Sequence, residues 1–272
     1  MSFDMDAAAI ARTILAATDG GGQIEPFTAN GSDFSEADAY AVTAELRALR
    51  VARGERPVGR KIGFTNRNIW DEYGVFQPIW GDVYDTTALD VSPGDRVQVS
   101  QLPEPRIEPE IILGLARDVM PDMGVDEISR SIGWVAHGFE FVQSIFPGWR
   151  FQVADCVADG GLHGRLFIGP RRDLSERERS TLASDLSALT IRLSRNGEPA
   201  DTGSGANVLD GPIQALAHLA AVLGKDRLNP PLRAGEIVTT GTLTRAFPVV
   251  AGERWSTEIG GFDLPGLSVE IV

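Results

Sequence analysis

The chain has 272 residues and a formal net charge of −13, which argues against nucleic acid or an anionic membrane as partner but not against an anionic substrate, since a bound metal ion can invert the local field. Hydrophobic residues make up 43%, enough for one sizeable core, and the 30 glycines and 16 prolines point to the many turns of a β-rich fold. The single cysteine, Cys156, permits no intrachain disulfide and reads as a small buried apolar residue. The acidic N-terminus is unlike a signal peptide, and no apolar run approaches membrane-spanning length, so the expected setting is the cytoplasm.

In chain order, residues 1–57 read as a helical region packed on the core, and residues 58–272 as a β-rich catalytic domain. Residues 5–17 are Ala-rich. Ser35 followed by Asp38 marks a second helix start, with Tyr40, Val42, Leu46 and Leu49 at roughly helical spacing. Strands are expected over 58–64, 95–100, 106–115, 138–144, 164–169, 189–195, 236–243 and 266–272. Alternation through Leu189, Ile191 and Leu193 ends in Asn196-Gly197, a two-residue hairpin signal. Two helices interrupt them. One covers 124–136, with Val125, Ile128 and Ile132 on one side; the other starts at Asp210 as N-cap, carries Pro212 just inside and stops at Gly224.

Chemistry concentrates in Arg106-Ile107-Glu108-Pro109-Glu110-Ile111. Read as a strand, its period of two sets Glu108 and Glu110 on one face and Ile107 and Ile111 on the other. Two adjacent carboxylates on an apolar strand are either solvated at an edge or neutralised by a cation. Glu140 lies between Phe139 and Phe141, with no Lys or Arg from 131 to 149 to pair with it locally. A metal shared by the three glutamates resolves both problems, and an all-carboxylate shell suits Mg²⁺ or Mn²⁺. Lys61, flanked by Gly59 and Gly63, can move a proton or neutralise a substrate carboxylate if it faces a pocket.

Three segments, Gly59-Arg60-Lys61-Ile62-Gly63-Phe64-Thr65-Asn66, Glu108-Pro109-Glu110 before an aliphatic run, and Gly138-Phe139-Glu140-Phe141-Val142-Gln143-Ser144, together resemble the 2-keto-4-pentenoate hydratase / 4-oxalocrotonate decarboxylase group of the fumarylacetoacetate hydrolase superfamily. The resemblance runs from Val58 to the C-terminus. It implies an α+β fold, the mixed β-roll or sandwich of that superfamily's C-terminal domain with a small N-terminal helical region. It also implies Glu108, Glu110 and Glu140 as metal ligands, Lys61 as the active-site lysine, a Thr240-Gly241-Thr242 loop beside the substrate, and a homo-oligomer. Two departures stand out. Ile79 occupies the slot of an acid/base aspartate, and Asp159-Gly160-Gly161-Leu162-His163 replaces a polar run. His163, in a Gly-rich turn, is the candidate to supply the lost acid/base function. Arg106 is a candidate for binding a substrate carboxylate.

The expected activity is hydration of a small 2-hydroxydienoic or 2-oxo-3-enoic acid in catabolism of aromatic or related compounds. Alternatives are decarboxylation of a 2-oxo-3-enedioate, C–C hydrolysis of a diketo acid, and an inactive partner subunit in a complex with a pathway neighbour.

Overall fold

The computed structural model describes residues 6–272. Residue 5, where the first helix was expected to begin, lies outside them together with the acidic stretch before it. Two N-terminal helices, α1 (Ala7–Gly20) and α2 (Glu36–Ala52), lead into β1 (Pro57–Gly63). Ser35 and Asp38 form the reciprocal capping box at the start of α2. There follow α3 (Trp70–Tyr73), β2 (Ile79–Tyr84), β3 (Ala88–Asp90), β4 (Asp95–Val97), β5 (Arg106–Leu115), α4 (Val125–Ser131), β6 (Ile132–Val142), α5 (Val153–Ala158) and β7 (His163–Ile168). The chain closes with β8 (Arg172–Asp173), α6 (Glu176–Ala188), β9 (Thr190–Arg195), β10 (Glu198–Ser204), α7 (Pro212–Leu223), β11 (Ile237–Thr242), β12 (Phe247–Pro248), β13 (Arg254–Gly260) and β14 (Ser268–Ile271).

The strands form two mixed sheets. The larger runs β2-β1-β11-β5-β6-β7-β3, with β12 on β5 and β8 on β6; the smaller runs β10-β9-β13-β14-β4. Apolar residues from both sheets, among them Ile107, Phe139, Leu193 and Trp255, make one core between them. Residues of α4, α6 and α7 close a second over the other end of β5 and β6, and α1, α2 and α5 close a third with Phe64 and Ile79. This is the α+β double-sheet architecture expected. No helix among the described residues is long and apolar enough to cross a membrane.

Asn196 and Gly197 adopt left-handed angles and join β9 to β10 as a hairpin, as their type requires. The helix expected over 124–136 is corrected: α4 ends at Ser131 and β6 begins at Ile132. Of the expected face, Ile128 and Ile132 are buried and Val125 half-buried, but pairing with β5 competes for the segment from Ile132 onward and wins. That pairing sets Trp134 opposite Gly114, where any Cβ would fall 2.0 Å from the indole. Pro212 and Gly224 bound α7 as expected, but its N-cap is Gly211; Asp210 is left-handed and its carboxylate binds Arg67 at 3.1 Å. Strands β2, β3, β8, β12 and β13 and helices α3, α5 and α6 were not anticipated, although Ser175 and Glu178 form a capping box at the start of α6.

Candidate metal centre and active site

Antiparallel pairing of β5 with β6 puts Glu108 directly opposite Glu140, and the period of two places Glu110 on the same face. One carboxylate oxygen from each of the three lies within 4.8 Å of the others. Glu110 and Glu140 are fully buried, while Glu108 is partly open to a cleft. On the other side of β5, pairing with β11 breaks between Thr239 and Thr242. The break turns the Gly241 amide onto Glu110, whose Oε2 accepts from it at 2.8 Å and from the Thr239 hydroxyl. Only glycine fits there. Its φ is +101°, and a Cβ would meet Thr65 Oγ1 at 1.8 Å.

Strand β1 lies beyond β11 and brings Lys61 alongside. Its ammonium donates to the Gly161 carbonyl at 2.7 Å and sits 3.4 Å from Glu140 Oε2, a distance that makes an ion pair but a poor hydrogen bond. The partner for Glu140 that no neighbouring residue supplies therefore comes from a distant strand. Burial works against the Lys61 ammonium, but Glu140, Glu108 and Glu110 outweigh it and hold the pKa above the ordinary lysine value. Burial would likewise raise Glu140, yet Lys61 and His163 keep it below the carboxylate norm. Glu108 is pushed up to about 7 by burial and by Glu140, against Lys61 and Arg106. Glu110 rises well above the norm through burial and its two acidic neighbours.

A divalent cation fits this cluster on the chemistry of the donors. Three carboxylates face a single ammonium, and Glu110 Oε1 and Glu140 Oε2 are buried without a hydrogen-bond partner. Leaving such atoms unpaired is costly, and an all-oxygen set suits a hard ion.

The other expected residues divide. Lys61, Glu108, Gly241 and Thr242 line a cleft of about 30 Å³ with Gly161, and its remaining wall is apolar. Thr240 faces away: its hydroxyl donates to the Ile111 carbonyl at 3.0 Å. Arg106 does not line the cleft; its guanidinium lies 4.2 Å over the ring of Trp149, which does. His163 is corrected in position. It opens β7 and does not project from the glycine turn, because antiparallel pairing with β6 at Val142 takes its backbone. Its Nδ1 donates to Glu140 Oε1 at 2.8 Å, and Nε2 lies 2.9 Å from Thr87 Oγ1. Burial depresses its pKa, with Lys61 and Arg50 assisting against the pull of Glu140. The neutral ring thus holds and orients a carboxylate from behind.

Local reading of the sequence missed several residues. Thr239 and the Gly161 carbonyl hold site groups without any sequence signal. His137 donates from Nδ1 to the Glu110 carbonyl at 2.9 Å and reaches Thr257 Oγ1 at 2.8 Å through Nε2, tying β6 to the second sheet. Asp159 is buried, its pKa driven well up by that burial, and it lines a second pocket together with His163. Ile79 lies buried opposite Gly63, within 3.2 Å of where a Cβ there would stand.

Residues 83–266 match the family profile of the fumarylacetoacetate (FAA) hydrolase C-terminal domain, and the chain belongs to that family. It is 32% identical over 239 residues to the 2-hydroxyhexa-2,4-dienoate hydratase of Comamonas testosteroni, with 88% of each chain covered. It is 33% identical over 254 residues to a 2-keto-4-pentenoate hydratase of Paraburkholderia xenovorans, covering 92% of this chain and 90% of that one. Among solved structures, the 4-oxalocrotonate decarboxylase of Pseudomonas putida G7, complexed with magnesium and adipate, superposes with a TM-score of 0.88 at 28% identity, over 100% of this chain and 99% of that one. Fumarylpyruvate hydrolase from Pseudomonas aeruginosa shares the fold at a TM-score of 0.60 and 17% identity.

Proposed function

We propose that the chain is a divalent-metal-dependent hydratase, a lyase that adds water to a short 2-hydroxy-2,4-dienoate by way of its 2-oxo-3-enoate tautomer. The observation that carries this reading is the triad Glu108, Glu110 and Glu140 beside Lys61 at the foot of a small cleft. Several full-length relatives named as hydratases of such acids support it. Glu108, Glu110 and Glu140 would hold the ion, Mg²⁺ or Mn²⁺. When bound, the ion supplies Lewis acidity to the oxygen on C2 of the substrate.

The chain's own residues do the rest. Thr239 and the Gly241 amide fix one oxygen of Glu110, and neutral His163 fixes one of Glu140. Lys61 is aimed by the Gly161 carbonyl, and its role is to move a proton at Nζ. In the overall reaction the dienol loses its hydroxyl proton and gains one at C5. Water then adds oxygen to C4 and hydrogen to C3. The support for His163 is as the residue that orients Glu140, and Thr240 has the corresponding role of binding β11 to β5. A cytoplasmic, homo-oligomeric enzyme of aromatic-compound catabolism remains part of the proposal.

A second reading, decarboxylation of a 2-oxo-3-enedioate, is favoured by Ile79, because that reaction needs no water activator. One assay separates the two. Purified protein with Mg²⁺ is given 2-hydroxypenta-2,4-dienoate or 2-oxohex-3-enedioate, following loss of the dienol chromophore and release of CO₂. Hydration that stops with EDTA supports the first reading; CO₂ release without hydration replaces it with the second.

A further inference from the structure

Eight non-glycine residues take left-handed backbone angles among the described residues. Asparagine and aspartate tolerate that conformation; bulky apolar side chains do not. Of the four apolar ones, Leu209 lies elsewhere, and the other three line the cleft: Phe64 at φ 54°, Trp149 at 58° and Leu162 at 63°. Angles of this kind persist where surrounding contacts over-determine them, and they gather at functional sites.

Each of the three is fastened from a different part of the chain. The Phe64 carbonyl accepts from Trp70 Nε1 at 2.9 Å. The Leu162 carbonyl accepts from the Gln143 amide at 2.9 Å. Trp149 donates from its indole to the carbonyl of Glu104 at 3.1 Å, a residue itself left-handed at φ 47°, and Arg106 covers its ring. Among the described residues lining the cleft, the charged ones are Lys61 and Glu108. Lys61 is already engaged by Glu140 and Gly161.

We propose that Phe64, Trp149 and Leu162 form a preset apolar gauge that admits a 2-oxo acid with a short uncharged tail and rejects one with a second carboxylate or a long tail. The inference rests on the reading that 2-oxo acids enter this cleft. A distal carboxylate pressed against this wall would be desolvated, which is costly, and among the described residues lining the cleft the one cation, Lys61, is already engaged. A longer tail would press further along the same fixed wall of Phe64, Trp149 and Leu162.

The test compares two ligands of equal chain length, 2-oxopentanoate and 2-oxoglutarate, by calorimetry and thermal shift on whole protein with saturating Mg²⁺, with no turnover required. The monoacid is expected to bind at least about 10²-fold more tightly. Leu162→Gly and Trp149→Gly relieve the left-handed angle while removing the wall. Each is expected to raise the affinity of 2-oxooctanoate relative to 2-oxopentanoate by about tenfold. Equal or tighter binding of the diacid, or no binding of either ligand, overturns the gauge. Unchanged length preference in both glycine variants overturns its assignment to these residues. Selective binding of the monoacid without hydration of any dienoate leaves the gauge standing and sinks the proposed reaction; hydration with indifferent binding of the diacid does the reverse.

Discussion

Replacing Lys61 by methionine keeps the side-chain stem and removes one charge, and the geometry sets what should follow. Nζ lies 3.4 Å from Glu140 Oε2, and neither side chain is more than 3% exposed. At an effective dielectric near 20 that attraction is about 5 kcal/mol, and breaking such a buried pair typically costs about 3–5 kcal/mol. Without the ammonium, Glu140 loses the influence that holds its pKa down, so the folded protein favours its protonated form. A carboxyl with a raised folded pKa destabilises above its unfolded pKa and regains stability as pH falls. The variant's metal-free deficit should therefore approach the full 3–5 kcal/mol at pH 8 and shrink at pH 5. The ammonium and a divalent ion also compete for the same carboxylates. Mg²⁺ should stabilise the variant more than wild type, by about 1.4 kcal/mol for each tenfold gain in affinity, while turnover falls about 10²–10⁴-fold. Urea unfolding at both pH values, with EDTA or with Mg²⁺, reads the first two effects and a dienoate assay the third. A variant as stable as wild type at pH 8, or one stabilised less by Mg²⁺, would refute the account of Lys61 as the buried counter-ion of Glu140.

The remaining expectations concern the ligands and their supports. Glu108→Ala, Glu110→Ala and Glu140→Ala should each abolish Mg²⁺-dependent turnover and the Mg²⁺-induced thermal shift in a folded protein; a fully active Glu140→Ala enzyme would end the three-ligand assignment. His137 is buried neutral, and burial pulls its pKa from 6.5 to about 4. A histidine with a depressed folded pKa loses stability as pH falls below its unfolded value, so wild type should lose about 3 kcal/mol between pH 7.5 and 4 from this group. His137→Gln lacks that loss, and the stability gap between the two proteins should narrow by this amount across urea titrations; a gap constant with pH contradicts it. Gly241→Ala should cost about 2–4 kcal/mol through the left-handed angle and the collision with Thr65. It should also weaken metal binding, as the Gly241 amide moves off Glu110, and calorimetric Mg²⁺ titration checks this.

What local pattern encodes, a single sequence yields. The alternation of Ile107, Glu108, Ile111 and the apolar flanks of Glu140 put three carboxylates on two strands, and period two alone assigned Glu108 and Glu110 a common face. Register between the strands has no local signature, so the direct opposition of Glu108 and Glu140, and Lys61 reaching Glu140 from β1, appear only in three dimensions. His163 is the instructive miss. Its glycine neighbours do make a turn, at Gly160 and Gly161, but the turn ends one residue earlier than composition suggests, and strand pairing rotates the ring behind the metal ligand. The same logic explains why the cleft wall stayed invisible. Phe64, Trp149 and Leu162 are residue types whose intrinsic preference opposes the angles they hold, so any rule built on preference assigns them somewhere else. Contacts from Trp70, Gln143 and Glu104 help hold those angles. Metal ligands must be particular chemical groups and therefore leave a mark in residue type; a shape that selects a substrate need only be rigid, and the contacts that make it rigid lie far away in the chain.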